Sequence, residues 1–366
     1  MHINLHFFPS RRIALYMARM FVVRSFAVLA ALVLVLQTLD LLGESGKILA
    51  QPGNGDAQLW YYVSLRFPQL IARFLPFSVL LGTLITLATL NQHSEVISMK
   101  AAGISAHQII APLVVASIGI AIVTFVFQER VVTRATAALS SWAAVDYGRV
   151  PPESGVIEHV WVKHGDDLVH VRQVYGRGAT TRLHDVTVYR REGGTLTGTI
   201  SGTDAREAGG GWRLSPAKSF DVTTDTVRTA PSAIIGVGIT SDQFTLARVS
   251  ADQQDFTTLK RSIEELKLAG RPTGPLEASL WHKLSGPVSA VLMPLLAGVA
   301  AFGLARSGQL FLRAIIGMAL GFAYFVVDNF ALAMGNFGAY PPLLAAWAPF
   351  LLFLLIGETV LIRTEE

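Results

Sequence analysis

Few residues in this chain are placed to do covalent chemistry. The run Gly43-Glu44-Ser45-Gly46-Lys47 has the glycines and lysine of a loop that cradles nucleotide phosphates on backbone amides. That loop also needs a glycine five positions before Gly46 and a hydroxyl residue after Lys47, where this chain has Leu41 and Ile48. His159, His164 and His170, with Asp166 and Asp167, are metal-ligand types gathered in a short stretch. His159 and His164 are an odd number of residues apart, so a regular strand points them to opposite faces, and exposed strand polars are the plainer reading. No HExxH, GxSxG or cysteine pair is present, and the chain contains no cysteine. An enzyme pocket with convergent acid, base or metal ligands is not found, and no metal or cofactor is expected on this chain.

The chain of 366 residues that carries these groups is 51% hydrophobic and only 15% charged, with mean hydropathy +0.46. That is too apolar for an ordinary soluble protein of this size. Uncharged stretches run over Ser25 to Leu39 (extended on both sides), Phe74 to Ser94, Ala101 to Gln128, Leu284 to Ala305, Ala314 to Val327 (extended to Met334) and Leu343 to Gly357. A helix needs about 20 apolar residues to cross the hydrocarbon core, so six membrane spans are expected. The first has no small-x-small cleavage site and reads as a retained helix rather than a signal peptide. Lys and Arg favour one side of the short loops: Arg11, Arg12, Arg19 and Arg24, then Lys100, Arg306, Arg313 and Arg363. The opposite loops carry Lys47, Arg66 and Arg73, and none from Gly335 to Pro342. This bias predicts both termini in the cytoplasm and the long segment between spans three and four outside it. Eighteen of the 26 acidic residues lie between Gln128 and Lys283, so no single basic domain suggests nucleic acid.

That central segment has short alternating runs. Val160 to Lys163 and Leu168 to Val171 flank Gly165-Asp166-Asp167 as a hairpin; Asp185 to Tyr189 and Thr195 to Ile200 flank Gly193-Gly194 as a second. Gly209-Gly210-Gly211 leads to a third strand candidate at Trp212 to Leu214. The fold class is therefore an α-helical membrane protein with six transmembrane helices and an inserted antiparallel β domain, a sandwich or roll. The domain organisation reads as 1–149 (spans one to three), 150–250 (β domain) and 251–366 (connector and spans four to six). In the connector, Phe256, Leu259, Ile263 and Leu266 share a helical face within Asp255 to Ala269, stopped by Gly270 and Pro272. Such a helix lies either on the membrane surface or against the sheet.

Between spans two and three, Ser94 can cap a short helix that Gly103 ends, with Glu95 at its positive end. Val96, Ile97 and Met99 then face either a groove on a partner or simply the membrane interface. In Asp328 the fifth span carries a carboxylate, which is expensive in hydrocarbon unless paired or wet. It serves a gate, or pairs helices together with Asn329.

Leu90-Asn91-Gln92-His93-Ser94-Glu95 followed by Met99-Lys100-Ala101-Ala102-Gly103 resembles the cytoplasmic motif of the LptF/LptG permease family. Trp281 to Val288, Gly321 to Asn329 and Gly338 to Pro342 resemble it too, the last two more like LptG than LptF. The resemblance spans nearly the whole chain. It implies a lipopolysaccharide-export permease in the bacterial inner membrane, with the inserted domain a periplasmic β-jellyroll. It implies as partners an LptF-like permease, a cytoplasmic LptB-like ATPase dimer that binds ATP and Mg, an LptC-like single-span protein and a periplasmic bridge protein. In that picture Ser94, Glu95, Val96, Ile97, Met99 and Gly103 belong to the helix that docks on the ATPase, and spans one and five form the entry gate with the partner permease. The phosphates of the lipid need cations at the outer headgroup level. Lys47, Arg130 and Arg134 are candidates there, beside Asp328; their alternative is ordinary solvated or headgroup-facing charge. The chain departs from the family pattern in having Gln37, Gly43 and Glu44 at the end of span one, and Ser140 and Ala143 after span three, where basic residues are expected. An ATPase-coupled regulatory protein with an external sensing domain is the competing class.

Overall fold

The computed structural model describes residues 9–148, 157–176, 180–245, 250–268, 271–303 and 310–363. The chain divides into two units: Met1–Val150 with Ala251–Lys260 and Gly274–Glu366, and Pro151–Ser250 with Arg261–Thr273.

Helices build the first unit. They are α1 (Arg11–Ala50), α2 (Asp56–Gln92), the short α3 (Glu95–Ala101), α4 (Ala106–Phe127), a π-helical turn (Gln128–Val132) running into α5 (Thr133–Ala143), then, after the sheet, α8 (Gly274–Gly298), a second π-helical turn (Val299–Gly303), α9 (Leu310–Asn336) and α10 (Pro342–Arg363). Six of these stretches are long and apolar enough to cross a membrane, with α4, the π turn and α5 forming one of them. Hydropathy located the six spans but not their lengths. The 40 residues of α1 and 37 of α2 make helices of roughly 55–60 Å at 1.5 Å per residue, about twice the ~30 Å hydrocarbon core. The polar run Gly43 to Lys47 is consequently helix, and its amides are engaged in the helix rather than presented to a phosphate.

α8 sits at the centre, against α2, α4, α9 and α10, with Ala290, Leu292, Met293 and Leu296 no more than 3% exposed. Its most apolar stretch is 72% buried, against 28% for α1 and 22% for α9. α1 instead lies along α2, where small residues let the backbones approach. A Cβ added at Gly82 would stand 2.6 Å from Ser25 Cα and 2.7 Å from Ser25 N, so nothing larger than glycine fits without moving α1.

The second unit is an eight-stranded antiparallel sheet, as the alternating runs led one to expect: β1 (Ile157–His164), β2 (Asp167–Tyr175), β3 (Arg182–Glu192), β4 (Thr195–Ala208), β5 (Gly211–Ser215), β6 (Ala217–Asp221), β7 (Thr226–Ala230) and β8 (Ala233–Ile235). Gly193-Gly194 and Gly209-Gly210 all have positive φ, between 58° and 84°, which two-residue hairpin turns of this hand require. The long β4 forks the sheet: its first half pairs with β6 and its second with β5. Alternate residues bury in one core, among them Val160, Val171, Val186, Ile200, Leu214 and Trp212. α6 (Ser241–Thr245) adds Phe244, edge-on to Trp212 at 5.2 Å.

The connector follows as α7 (Phe256–Leu268), capped by the Asp255 carboxylate on Thr258 N at 2.8 Å. The Thr258 hydroxyl and then its amide hold the Asp255 carboxyl below the usual carboxylate range. Leu259, Ile263 and Leu266 are 0%, 4% and 3% exposed, so the apolar stripe is packed within the protein rather than laid on bare lipid. Gly270, expected to end this helix, lies outside the described residues, as do Arg306 and the boundary at 149–150.

Replacing Gly82 with Ala is expected to overpack the α1–α2 contact and cost about 1–3 kcal/mol, while Gly43→Ala, in open space on the same helix pair, costs nothing. Melting temperatures of the two variants in detergent check this; equal values would mean that α1 and α2 do not approach as described.

Candidate functional site

At one end of the bundle, α2 turns into α3 through His93 and Ser94. Ser94 does not cap α3 with its hydroxyl as expected. Its φ of 58° puts the backbone in the left-handed region to close the tight turn, and its carbonyl accepts from Ser98 N and Ser98 Oγ, both at 3.0 Å. Gly103, at φ 80°, ends the helix: its amide reaches Lys100 O and the amide of Ile104 reaches Met99 O, each at 3.0 Å. Glu95 opens α3, and Tyr16 near the start of α1 donates to its Oε1 at 3.3 Å.

The apolar residues of α3 divide, which corrects the expectation that three of them face outward. Val96 and Met99 are 6% and 9% exposed and join the bundle core, whereas Ile97 is 63% exposed. Residues three apart share a helix face and the next residue turns about 100° away, so the core takes 96 and 99 and leaves 97. Lys100 lies 5.1 Å above the Phe302 ring in the second π turn, a cation–π contact that ties α3 to the end of α8.

The opposite end of the bundle carries the charge. Lys47 is not a free cation: its Nζ is 2.9 Å from Glu44 Oε1, and Glu44 Oε2 accepts from Tyr147 Oη at 3.0 Å. Burial, and then the Glu44 carboxylate, push the Tyr147 hydroxyl up to about 12, so it keeps the proton it donates to Glu44. Nearby, Asp40 takes two bonds from Arg66 (2.9 and 3.1 Å) and one from Tyr62 Oη at 2.5 Å, bridging α1 and α2. Arg130, in the first π turn, and Arg134, in α5, are both exposed and make no ion pair among the described residues. Two of the three expected cations are thus open to an anion, and the third is internally compensated.

One buried pair joins the two span halves, and a part-buried contact joins two spans of the later half. Lys283 Nζ on α8 is 3.3 Å from Glu129 Oε1, with side chains only 7% and 13% exposed. The other oxygen of Glu129 accepts from the backbone amide of Phe256, at the start of α7. Glu129 lies in the π turn, whose extra residue re-aims the side chains that follow. His282, next in line on α8, places Nε2 3.0 Å from Asp328 Oδ2 on α9. Asp328 therefore joins helices through His282, while Asn329 is exposed and donates to Phe325 O within its own helix at 2.7 Å. Sequence reading reached Asp328 but assigned nothing to His282, Lys283 or Glu129. The adjacent His-Lys at the head of an apolar run was the available signal.

The metal-type residues of the sheet have other duties. Asp167 Oδ1 accepts from Arg191 N at 3.0 Å and Asp166 Oδ2 from Gly194 N at 3.2 Å, so both acids secure the neighbouring hairpin. The His159 side chain lies outside the described residues. Among the described residues no group of three His, Cys, Asp or Glu could hold a metal.

Residues 15–363 match the profile of the family described as lipopolysaccharide export system permease LptF/LptG. The chain belongs to the LptF/LptG permease family. It is 25% identical over 313 residues to the lipopolysaccharide export system permease protein LptG of Escherichia coli K12, covering 82% of this chain and 84% of that protein. The protein of the same name from Haemophilus influenzae Rd is 25% identical over 355 residues, 93% of this chain and 97% of its own length. For this LptF/LptG-family chain, six apolar helices and an inserted antiparallel sheet are the family architecture.

Removing one member of a buried ion pair strands the other, at a cost of about 3–5 kcal/mol, whereas replacing both with apolar residues is near neutral. Glu129→Leu and Lys283→Met are therefore each expected to lower the melting temperature in detergent markedly, and the double variant to recover most of the loss. Additive losses would show that the pair does not form.

Proposed function

We propose that this chain is one permease subunit of an ABC transporter in the bacterial inner membrane, extracting lipopolysaccharide from the outer leaflet and passing it toward the outer membrane. The observation that carries this reading is the uneven burial of the spans. α1 and α9 are the least buried of the six, and both contact α2. Leu34, Val35 and Leu39 on α1 are 60–63% exposed, and Phe322, Phe325, Val326 and Phe330 on α9 are 47–61% exposed. Two apolar helices so sparsely covered by their own chain suit the walls of a cavity closed by a second permease of the same family, an LptF-like chain. Acyl chains favour such walls, and phosphates favour Arg130 and Arg134 at the charged end.

In this reading the termini and α3 are cytoplasmic and the sheet is periplasmic, the side from which an LptC-like protein and a bridge protein receive the lipid. No bond is made or broken on this chain. ATP and Mg bind an LptB-like dimer docked at α3, and hydrolysis there shifts the cavity between open and collapsed populations, because each nucleotide state binds one conformation more tightly. Ile97 is the apolar anchor on α3 and Glu95 its acidic contact for a basic residue of the ATPase. Val96 and Met99 hold the helix in place from beneath.

Substituting Ile97 with Asp is expected to cut recovery of the ATPase with the purified permease pair at least tenfold while leaving the melting temperature of the pair unchanged. Val96→Asp, which drives a charge into the core, should lower the melting temperature itself. Full ATPase recovery with Ile97→Asp would contradict docking at α3.

A further inference from the structure

The face of the sheet opposite its core has an organisation that the export reading leaves unused. Trp161, His170, Thr187, Ser201, Lys218 and Thr229 are successive cross-strand partners on β1, β2, β3, β4, β6 and β7. Their sequence neighbours Val160, Val162, Val169, Val171, Val186, Val188, Ile200 and Ala217 are buried in the core, so strand alternation sets the whole row on the other side. Side chains in such a row stand about 4.8 Å apart. The five after Trp161 line a depression of about 490 Å³.

The row is graded in chemistry. At one end Trp161 is 52% exposed, with the His170 ring 4.4 Å from it and the Tyr189 ring stacked at 5.7 Å and 21°. In the middle stand hydroxyls. Toward the far end Lys218 is exposed and makes no ion pair among the described residues. Arg172 and Asp185, 3.1 Å apart and both solvent-accessible, border the same depression. Asp185 has a left-handed backbone, φ 51°, where it and Arg172 drop out of the β2–β3 ladder while the register stays the same on both sides.

We infer that this face binds an acidic oligosaccharide, a chain of pyranose rings bearing phosphate or carboxylate groups. An open aromatic surface takes the C–H face of a sugar ring, the row of Thr and Ser hydroxyls exchanges hydrogen bonds with ring hydroxyls, and Lys218 takes the anion. An acyl chain would gain nothing from a floor of hydroxyls and cations. The source of the sugar rests on the proposed function: it is the saccharide of the same glycolipid, held outside the sheet while its lipid part is handled elsewhere.

The test uses the full-length chain in its permease pair and a water-soluble probe, the deacylated and phosphorylated core oligosaccharide released from lipopolysaccharide, titrated by calorimetry and by saturation-transfer NMR. Saturable binding is expected, weakened at least tenfold by Trp161→Ala and by Lys218→Gln, largely retained by Trp161→Phe, with melting temperatures unchanged because both residues are exposed. The dephosphorylated oligosaccharide should bind wild type as weakly as the intact probe binds Lys218→Gln. No saturable binding, or binding that Trp161→Ala leaves intact, would overturn the inference. Since the probe has no acyl chains, a failure of the spans to carry glycolipid would leave this binding untouched.

Discussion

Glu129 and Lys283 form an ion pair with almost no access to water, and it joins the first three spans to the last three. Charges placed this deep are tolerable only when each has the other and the spare lone pairs are used. Glu129 meets both conditions, with Lys283 on one oxygen and the Phe256 amide on the other. The chain leaves the bundle after α5 and returns at α7 and α8, with an entire sheet in between. Lipid is as apolar as leucine, so polar contacts between spans one to three and four to six, such as this pair and His107 with Glu358 at 3.3 Å, fix their register. The π turn that carries Glu129 and the His282–Asp328 contact one residue along α8 extend this fixed point across α4, α8 and α9.

A firmly tied centre leaves a free periphery. Because α8 packs chiefly against α2, α4 and α10, the chain covers little of α1 and α9. The same division recurs in α3, where the core claims Val96 and Met99 and leaves Ile97 outward. In both places the residues the fold does not need are the ones free to meet a partner. The sheet repeats the pattern with a period of two: valines inward, and a row of hydroxyl, aromatic and basic groups outward.

What the sequence made legible follows from the range of each interaction. Six spans and the class of the inserted domain were readable because hydropathy and alternation are local. Helix lengths were not, since α1 and α2 continue past the hydrocarbon into residues such as Asp40 and Glu44 that find partners on the next helix. β6, β7 and β8 escaped notice because they are three to five residues long, and β7, Thr226–Ala230, is exposed throughout and so shows no alternation. The pairs between spans were beyond reach: Glu129 and Lys283 are 154 positions apart and His282 and Asp328 are 46 apart, with no local period linking them. Lys47 was read as an open cation for a related reason, its neutralisation by Glu44 one turn away depending on the loop being helix.

The central claim is that α1 and α9 wall a cavity for a phosphorylated glycolipid. The most direct measurement places a photocrosslinking residue in the assembled transporter at Leu34 of α1, Val326 of α9 and Leu355 of α10, which are 63%, 49% and 66% exposed in the isolated chain. The account predicts lipopolysaccharide adducts at Leu34 and Val326 that decline when ATP is hydrolysed, and none above background at Leu355. Equal labelling at all three positions, or labelling at Leu355 alone, would contradict it.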